Sequence, residues 1–315
     1  MTSFPRRLYK YRAFSNRALD MLVADRLYFS SPADFNDPLD CQPNVEIDIG
    51  FSELLGVVGR LVERRLSAEL TAAARTLKYR GPKTSAHIAR HSQDQARGLI
   101  NRLHYDSGNP LMDEVADETW IFKHHLEEEL RTLYDSGIVS FGSRATCPLM
   151  WSHYGDQHRG ICIGYSVPDD DNVHEALRKV DYGGDRNVMA SDIAKMDDDD
   201  AAKRRVEDAV LLRKAKSWSY EREWRLVGLR GVSDSPLELE EVVFGLRCDP
   251  ALKFTIFKAM ADRERPIKFY EMRTKRGSFR LQKSALDIDE LQHELPRRAP
   301  KVFELFSSIP EGDGA

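Results

Sequence analysis

The sequence predicts an α+β fold with a long helical insertion, and three observations lead to it. Short strand-like runs cluster near the N-terminus and again after residue 138. Between them, residues 51–136 follow a helical period. No internal repeat and no credible linker divides the chain. The simplest organisation is one α+β domain over residues 1–295, with the helical insertion at about 51–136 and a Pro- and charge-rich tail over 296–315.

The elements follow in order. Leu8-Tyr9-Lys10-Tyr11-Arg12 alternates, so it reads as a strand with Lys10 and Arg12 on one face. Ser15 is placed to cap a helix that carries Leu19, Leu22 and Val23. Leu27–Pro32 reads as a second strand, ended by its proline. Phe35-Asn36-Asp37-Pro38 is a polar turn, because Asn and Asp hydrogen-bond nearby backbone and Pro38 pushes Asp37 out of helix. In the insertion, Leu54, Leu55, Val58, Leu61, Val62 and Leu66 make a helical stripe. Gly81-Pro82 breaks it, and His87–His104 resumes it. Residues 60–105 hold ten Lys/Arg against three Asp/Glu. Residues 106–129 reverse the balance with Asp106, Asp113, Glu114, Asp117, Glu118 and Glu127–Glu129. Two readings stand: the helices pair their charges with each other, or a basic face meets a phosphate backbone.

Strands return at Ile138–Phe141, Ile161–Val167 and Val180–Tyr182. Residues 185–213 read as helical. Asp197–Asp200 lack the alternation and glycine of a calcium loop and suit a helix start, where the dipole favours them. Further strands are expected at Glu223–Leu229, Leu237–Phe244 and Ile267–Met272.

Two stretches carry chemistry. Trp218-Ser-Tyr-Glu-Arg-Glu-Trp-Arg225, read as a strand, puts Glu221, Glu223 and Arg225 on one face. That face is either an exposed Glu–Arg ladder or a site for a cationic or hydroxyl-rich ligand. Met150-Trp151-Ser152-His153-Tyr154-Gly155-Asp156 precedes a buried-looking strand. His153 reads equally as a core histidine packed near Trp151 or as part of a cleft wall. A metal site built from His153, Asp156, His158 and Asp37 is a third arrangement.

The motifs LYKYR, LYFSSPADFNDPLDC, LMWSHYGDQHRGICIGY, WSYEREWRLV and VVFG resemble a widespread bacterial domain-of-unknown-function family across most of residues 7–275. The order of a basic residue on the first strand, a Phe-Ser-Ser strand and a late Glu-x-Glu is also similar to ADP-ribosyltransferases, with Ser-Ser-Pro here in place of Ser-Thr-Ser. This second resemblance implies mixed or antiparallel central sheets and an NAD-consuming transferase, with NAD as substrate. It implies a bacterial toxin, effector or anti-phage defence enzyme, with a nucleic-acid or protein acceptor and an antitoxin or regulatory partner. It gives Glu223 the role of stabilising oxocarbenium-like charge on the ribose and Glu221 that of orienting the acceptor or taking its proton. Arg12 would hold the pyrophosphate, and Ser30 would support the glutamate or the ribose. Trp151 or Tyr154 would stack on nicotinamide. Asn36 and Asp37 would shape the pocket floor, with His153 and Arg225 also lining the cofactor site.

Bulk properties narrow the alternatives. The chain has 315 residues, 41% hydrophobic, with a formal charge of −4. It has no run long enough to span a membrane, and a cytoplasmic location without membrane attachment is expected. Cys41, Cys147, Cys162 and Cys248 lack Cys-x-x-Cys spacing, which fits a reducing compartment and no cysteine zinc site. There is no Gly-x-Gly-x-x-Gly, Walker loop, Gly-x-Ser-x-Gly or His-Glu-x-x-His. The rival functions are a non-catalytic nucleotide-binding or sensing module and a metal-assisted nuclease or hydrolase.

Overall fold

The computed structural model describes residues 4–79, 81–107 and 118–297. Asp113, Glu114 and Asp117 of the acidic stretch, and the tail from 298 onward, lie outside the described residues. In chain order, the first part holds β1 (Leu8–Arg12), α1 (Asn16–Val23), β2 (Arg26–Phe29) and β3 (Asn44–Glu46). Then come α2 (Phe51–Thr76), α3 (Thr84–Ser107), α4 (Glu118–Leu133), β4 (Gly137–Gly142), α5 (Pro148–Tyr154) and β5 (Ile161–Ser166). The middle holds α6 (Asp171–Ala176), β6 (Leu177–Lys179), β7 (Asp181–Tyr182), β8 (Asn187–Met189), α7 (Ala190–Lys195), α8 (Asp200–Leu211) and β9 (Arg213–Lys214). The last part holds β10 (Glu223–Gly228), β11 (Gly231–Asp234), β12 (Glu238–Phe244), α9 (Pro250–Ala259), β13 (Lys268–Thr274), β14 (Leu281–Ala285) and α10 (Ile288–Glu294). The fold is mixed α+β.

The chain forms two compact units, each assembled from separated segments. The first comprises residues 1–26, 142–168 and 234–315, and the second residues 27–141 and 169–233. In the first, strands run in the order β14-β13-β12-β5-β1. This sheet is mixed: β12 and β13 are parallel, while β1–β5, β12–β5 and β13–β14 are antiparallel. Ile161, Cys162, Ile163 and Tyr165 are all fully buried, so β5 is apolar on both faces, as a central strand must be. Ser15 caps α1 as expected, accepting from the Ala18 N–H at 3.3 Å.

In the second unit, strands run β4-β10-β6, and a helical core packs beside them. The α2 stripe buries Leu54, Val57, Val58, Leu61 and Val62 with Phe122, Leu126 and Leu130 of α4. Val206, Val210 and Leu211 of α8 join the same core. The helical stretch therefore supplies much of its unit's interior. Of the aspartate run, Asp199 caps α8 through the Ala201 N–H at 2.8 Å, and Asp200 sits in its first turn. Among the described residues, no helix is long and apolar enough to cross a membrane.

Two local expectations are overturned: residues 185–213 are not one helical run but carry β8, α7, α8 and β9, and the octet is not one strand. Residues 216–221 form a 3-10 helix, not a strand, and β10 begins only at Glu223. Arg222 between them takes a left-handed conformation with φ 47°.

Candidate functional site

The octet and the polar turn meet inside the second unit. The 3-10 helix ends at Glu221, and the left-handed Arg222 turns the chain directly into β10. Glu221 and Glu223 thereby project into one interior, although they do not share a strand face, while Arg222 is left exposed. Lys214, at the end of β9, sits between the carboxylates. Its Nζ lies 2.7 Å from Glu221 Oε2, 2.8 Å from Glu223 Oε2 and 3.3 Å from Asp40 Oδ2. Arg225 closes the other side. Its Nε donates to Glu223 Oε1 at 2.9 Å, and its Nη2 donates to both Asp40 oxygens at 2.9 and 2.7 Å. Its Nη1 donates to the Leu211 carbonyl at 2.5 Å and lies 3.1 Å from Cys41 Sγ. The Phe35 ring covers the guanidinium at 5.2 Å. The Tyr182 hydroxyl accepts the Glu223 N–H at 2.7 Å.

All five charged groups are buried: Asp40, Lys214, Glu221, Glu223 and Arg225. Burial alone would raise the Glu223 carboxyl, but Arg225 and Lys214 outweigh it and hold this group at about 2. Burial would likewise lower Lys214, and the surrounding carboxylates reverse that and raise it. Burial pushes the Cys41 thiol up to about 12. Three carboxylates face two cations, so the formal charge of the cluster is −1. At its margin, Trp218 Nε1 donates to Asp37 Oδ2 at 2.7 Å, and Lys214 Nζ stands 5.4 Å from the Trp218 ring.

Glu221, Glu223, Arg225 and Asp37 are thus brought together. Asn36 is exposed in the same turn. Ser30 is not part of the cluster. Its hydroxyl donates to the Ile138 carbonyl at 3.1 Å, and its neighbour Ser31 binds Arg230 at 3.1 Å. Arg230 lies beyond the Gly228 end of β10, opposite the Glu223 end, and neither serine hydroxyl bonds to a charged group of the cluster. Ser30 does not support the glutamate.

Arg12 belongs to the first unit, where it is partly buried, and its Nε lacks a hydrogen-bond partner. Burial, then the neighbouring Arg17, lower its proton affinity. Trp151 also belongs there and is fully buried. Its Nε1 donates to the Ala145 carbonyl at 2.7 Å, and Tyr11 meets it edge-on at 5.1 Å. A ring enclosed in this way packs the core and presents no face to a nicotinamide. His153 is exposed, which removes the reading of a core histidine, and Tyr154 is half-buried. Asp156, Gln157 and His158 follow with φ of 50°, 51° and 71°, three left-handed non-glycine residues in succession. Among the described residues, no group of three or more His, Cys, Asp or Glu is arranged to hold a metal ion. At the cluster, the Lys214 ammonium occupies the point where the carboxylates converge.

The sequence reading missed Asp40, Lys214 and Tyr182. One signal pointed to Lys214: two glutamates and one arginine turned inward leave a carboxylate that demands a further cation.

Residues 150–226 match the model of a family described as "Protein of unknown function (DUF2971)". The match runs from Met150 through the whole WSYEREWR octet and covers less than half of the chain, a shorter span than the motifs over 7–275. Comparison with curated proteins and with solved structures gives no match.

Proposed function

We propose that the protein cleaves a glycosidic bond of NAD and transfers ADP-ribose to a nucleic-acid or protein acceptor, with Glu223 and Glu221 as the working carboxylates. One observation supports this reading: the buried cluster holds one more carboxylate than cation. A site with surplus negative charge in a dry interior favours positive charge that develops in a transition state, as on an oxocarbenium-like ribose. Asp37 and Trp218 at the margin supply a polar and an aromatic contact for a ligand. Ser30 and Trp151 have no part in it.

Nicotinamide release tests the reading. Glu223→Gln takes the cluster from −1 to neutral, so the fold survives while charge stabilisation is lost. Turnover is expected to fall about a hundredfold or more, with NAD binding changed far less. Glu221→Gln is expected to spare NAD hydrolysis and impair transfer. Equal release by wild type and Glu223→Gln, with intact thermal melts, would refute the assignment.

A second reading, a module that binds a nucleotide without turnover, draws on a different observation. Both Glu223 oxygens are already engaged by Lys214 and Arg225, as in a site that holds its shape. Saturable NAD binding without nicotinamide release selects it.

A further inference from the structure

Basic side chains of the helical insertion fall into two groups. On α2, Arg60 donates to the Ala194 carbonyl at 3.1 Å and Arg64 pairs with Asp197 at 3.1 Å. Arg65 pairs with Glu129 at 2.9 Å and with Glu69 at 3.0 Å. These charges are spent on the protein itself. On and just before α3, Lys83, Arg90, Arg97 and Arg102 are exposed, and none has an acidic partner among the described residues. Contacts within the protein therefore account for Arg60, Arg64 and Arg65 of α2 and leave the α3 cations unexplained.

The α3 cations are ordered. At 100° per residue, Lys83, His87, Arg90, Arg97 and Asn101 fall within an arc of about 80°, and Arg102 flanks it. Asp94 is the acidic residue on this arc. The stretch from Lys83 to Arg102 spans roughly 30 Å, close to one turn of a nucleic-acid duplex. The rings of His87 and His91 lie parallel at 5.9 Å on the exposed side. Ser92 and Ala96, on the opposite side, are buried. The outward face is cationic and polar, with small residues between the charges, so it complements a polyanion and not an apolar partner.

We propose that the exposed face of α3 binds the sugar–phosphate backbone of a nucleic acid, independent of base sequence. Guanidinium and ammonium groups spaced along a helix neutralise successive phosphates and release counterions. The inference rests on the α3 surface alone, and failure of the NAD chemistry would leave it untouched.

Fluorescence polarisation of the full chain with labelled 20-mers, single- and double-stranded and of two unrelated sequences, tests it between 50 and 200 mM salt. Three or four phosphate contacts predict a log–log salt slope on duplex of about −2.7 to −3.6. Arg90→Glu/Arg97→Glu/Arg102→Glu is expected to weaken binding at least tenfold at low salt and bring the slope to about −0.9 or shallower. The triple Gln variant is expected to lie between it and wild type and guards against misfolding of the reversed one. Arg64→Glu, on the paired helix, is expected to stay within twofold of wild type. No binding at 50 mM salt, or unchanged binding in both triple variants, would overturn the proposal. Capture by phosphatidylserine vesicles without any oligonucleotide binding would also overturn it.

Discussion

Arg225 is wholly buried and binds two carboxylates, a backbone carbonyl and a thiol sulfur, so the site is built around its charge. Removing a cation and removing a carboxylate are therefore unequal changes. Arg225→Leu takes the cluster from −1 to −2 in a dry interior and is expected to cost about 3–5 kcal/mol. Glu221→Gln takes it to neutral and is expected to cost about 1–2 kcal/mol. Urea unfolding of both variants checks the asymmetry, and equal losses would contradict it. Glu221, Glu223, Arg225 and Asp37 were legible because carboxylates beside an arginine and an Asn-Asp turn stand out within a few residues. Asp40 and Lys214 were not. Nothing local marks Lys214, whose role arises from carboxylates as far as 174 positions away at Asp40.

At the scale of elements, the strain lies in the loop between α5 and β5. Three left-handed residues are held there by close backbone packing on both sides. A Cβ at Gly160 would stand 2.2 Å from the Arg12 carbonyl oxygen, and one at Gly245 would stand 2.2 Å from that of His158. Both obstacles are backbone and cannot rotate away. Gly160→Ala is expected to destabilise by about 2–3 kcal/mol in thermal or urea unfolding, although it adds one methyl group. A loss below about 0.5 kcal/mol would mean the loop shifts freely. Most strands were legible at this scale because alternation and β-branched runs are local: β1 has the expected bounds, and β4, β5, β10 and β12 differ by a residue or so. The 3-10 helix at 216–221 was not, because Trp-Ser-Tyr-Glu-Arg-Glu alternates like a strand. The left-handed turn at Arg222 is set by the cluster that both glutamates enter.

At the scale of the molecule, buried charge makes stability depend on pH. Glu223 sits at about 2 in the folded chain, whereas a free glutamate lies near 4.3. Its contribution is fully present above about pH 4.5 and is lost as pH falls toward about 2, because the unfolded chain takes up the proton first. Urea melts stepped through this window are expected to show stability falling with pH. Glu223→Gln is expected to fall less steeply. Parallel slopes for the two proteins would place the acid sensitivity elsewhere.

The sequence by itself determined the fold class, most strands, the helical insertion and the two motifs that carry unusual polarity. These depend on residue type and on periods of two or 3.6, which a short window contains. Only the tertiary structure decided which of those residues meet. It joined Asp37 and Asp40 to Lys214 and the octet, set Ser30 apart from Glu223, and enclosed Trp151. It also showed that Arg60, Arg64 and Arg65 of α2 are engaged within the protein while the α3 cations face outward. The physical reason is the same in each case. A charge or ring acquires its role from its partner and its burial, and both are fixed by contacts between segments far apart in the chain.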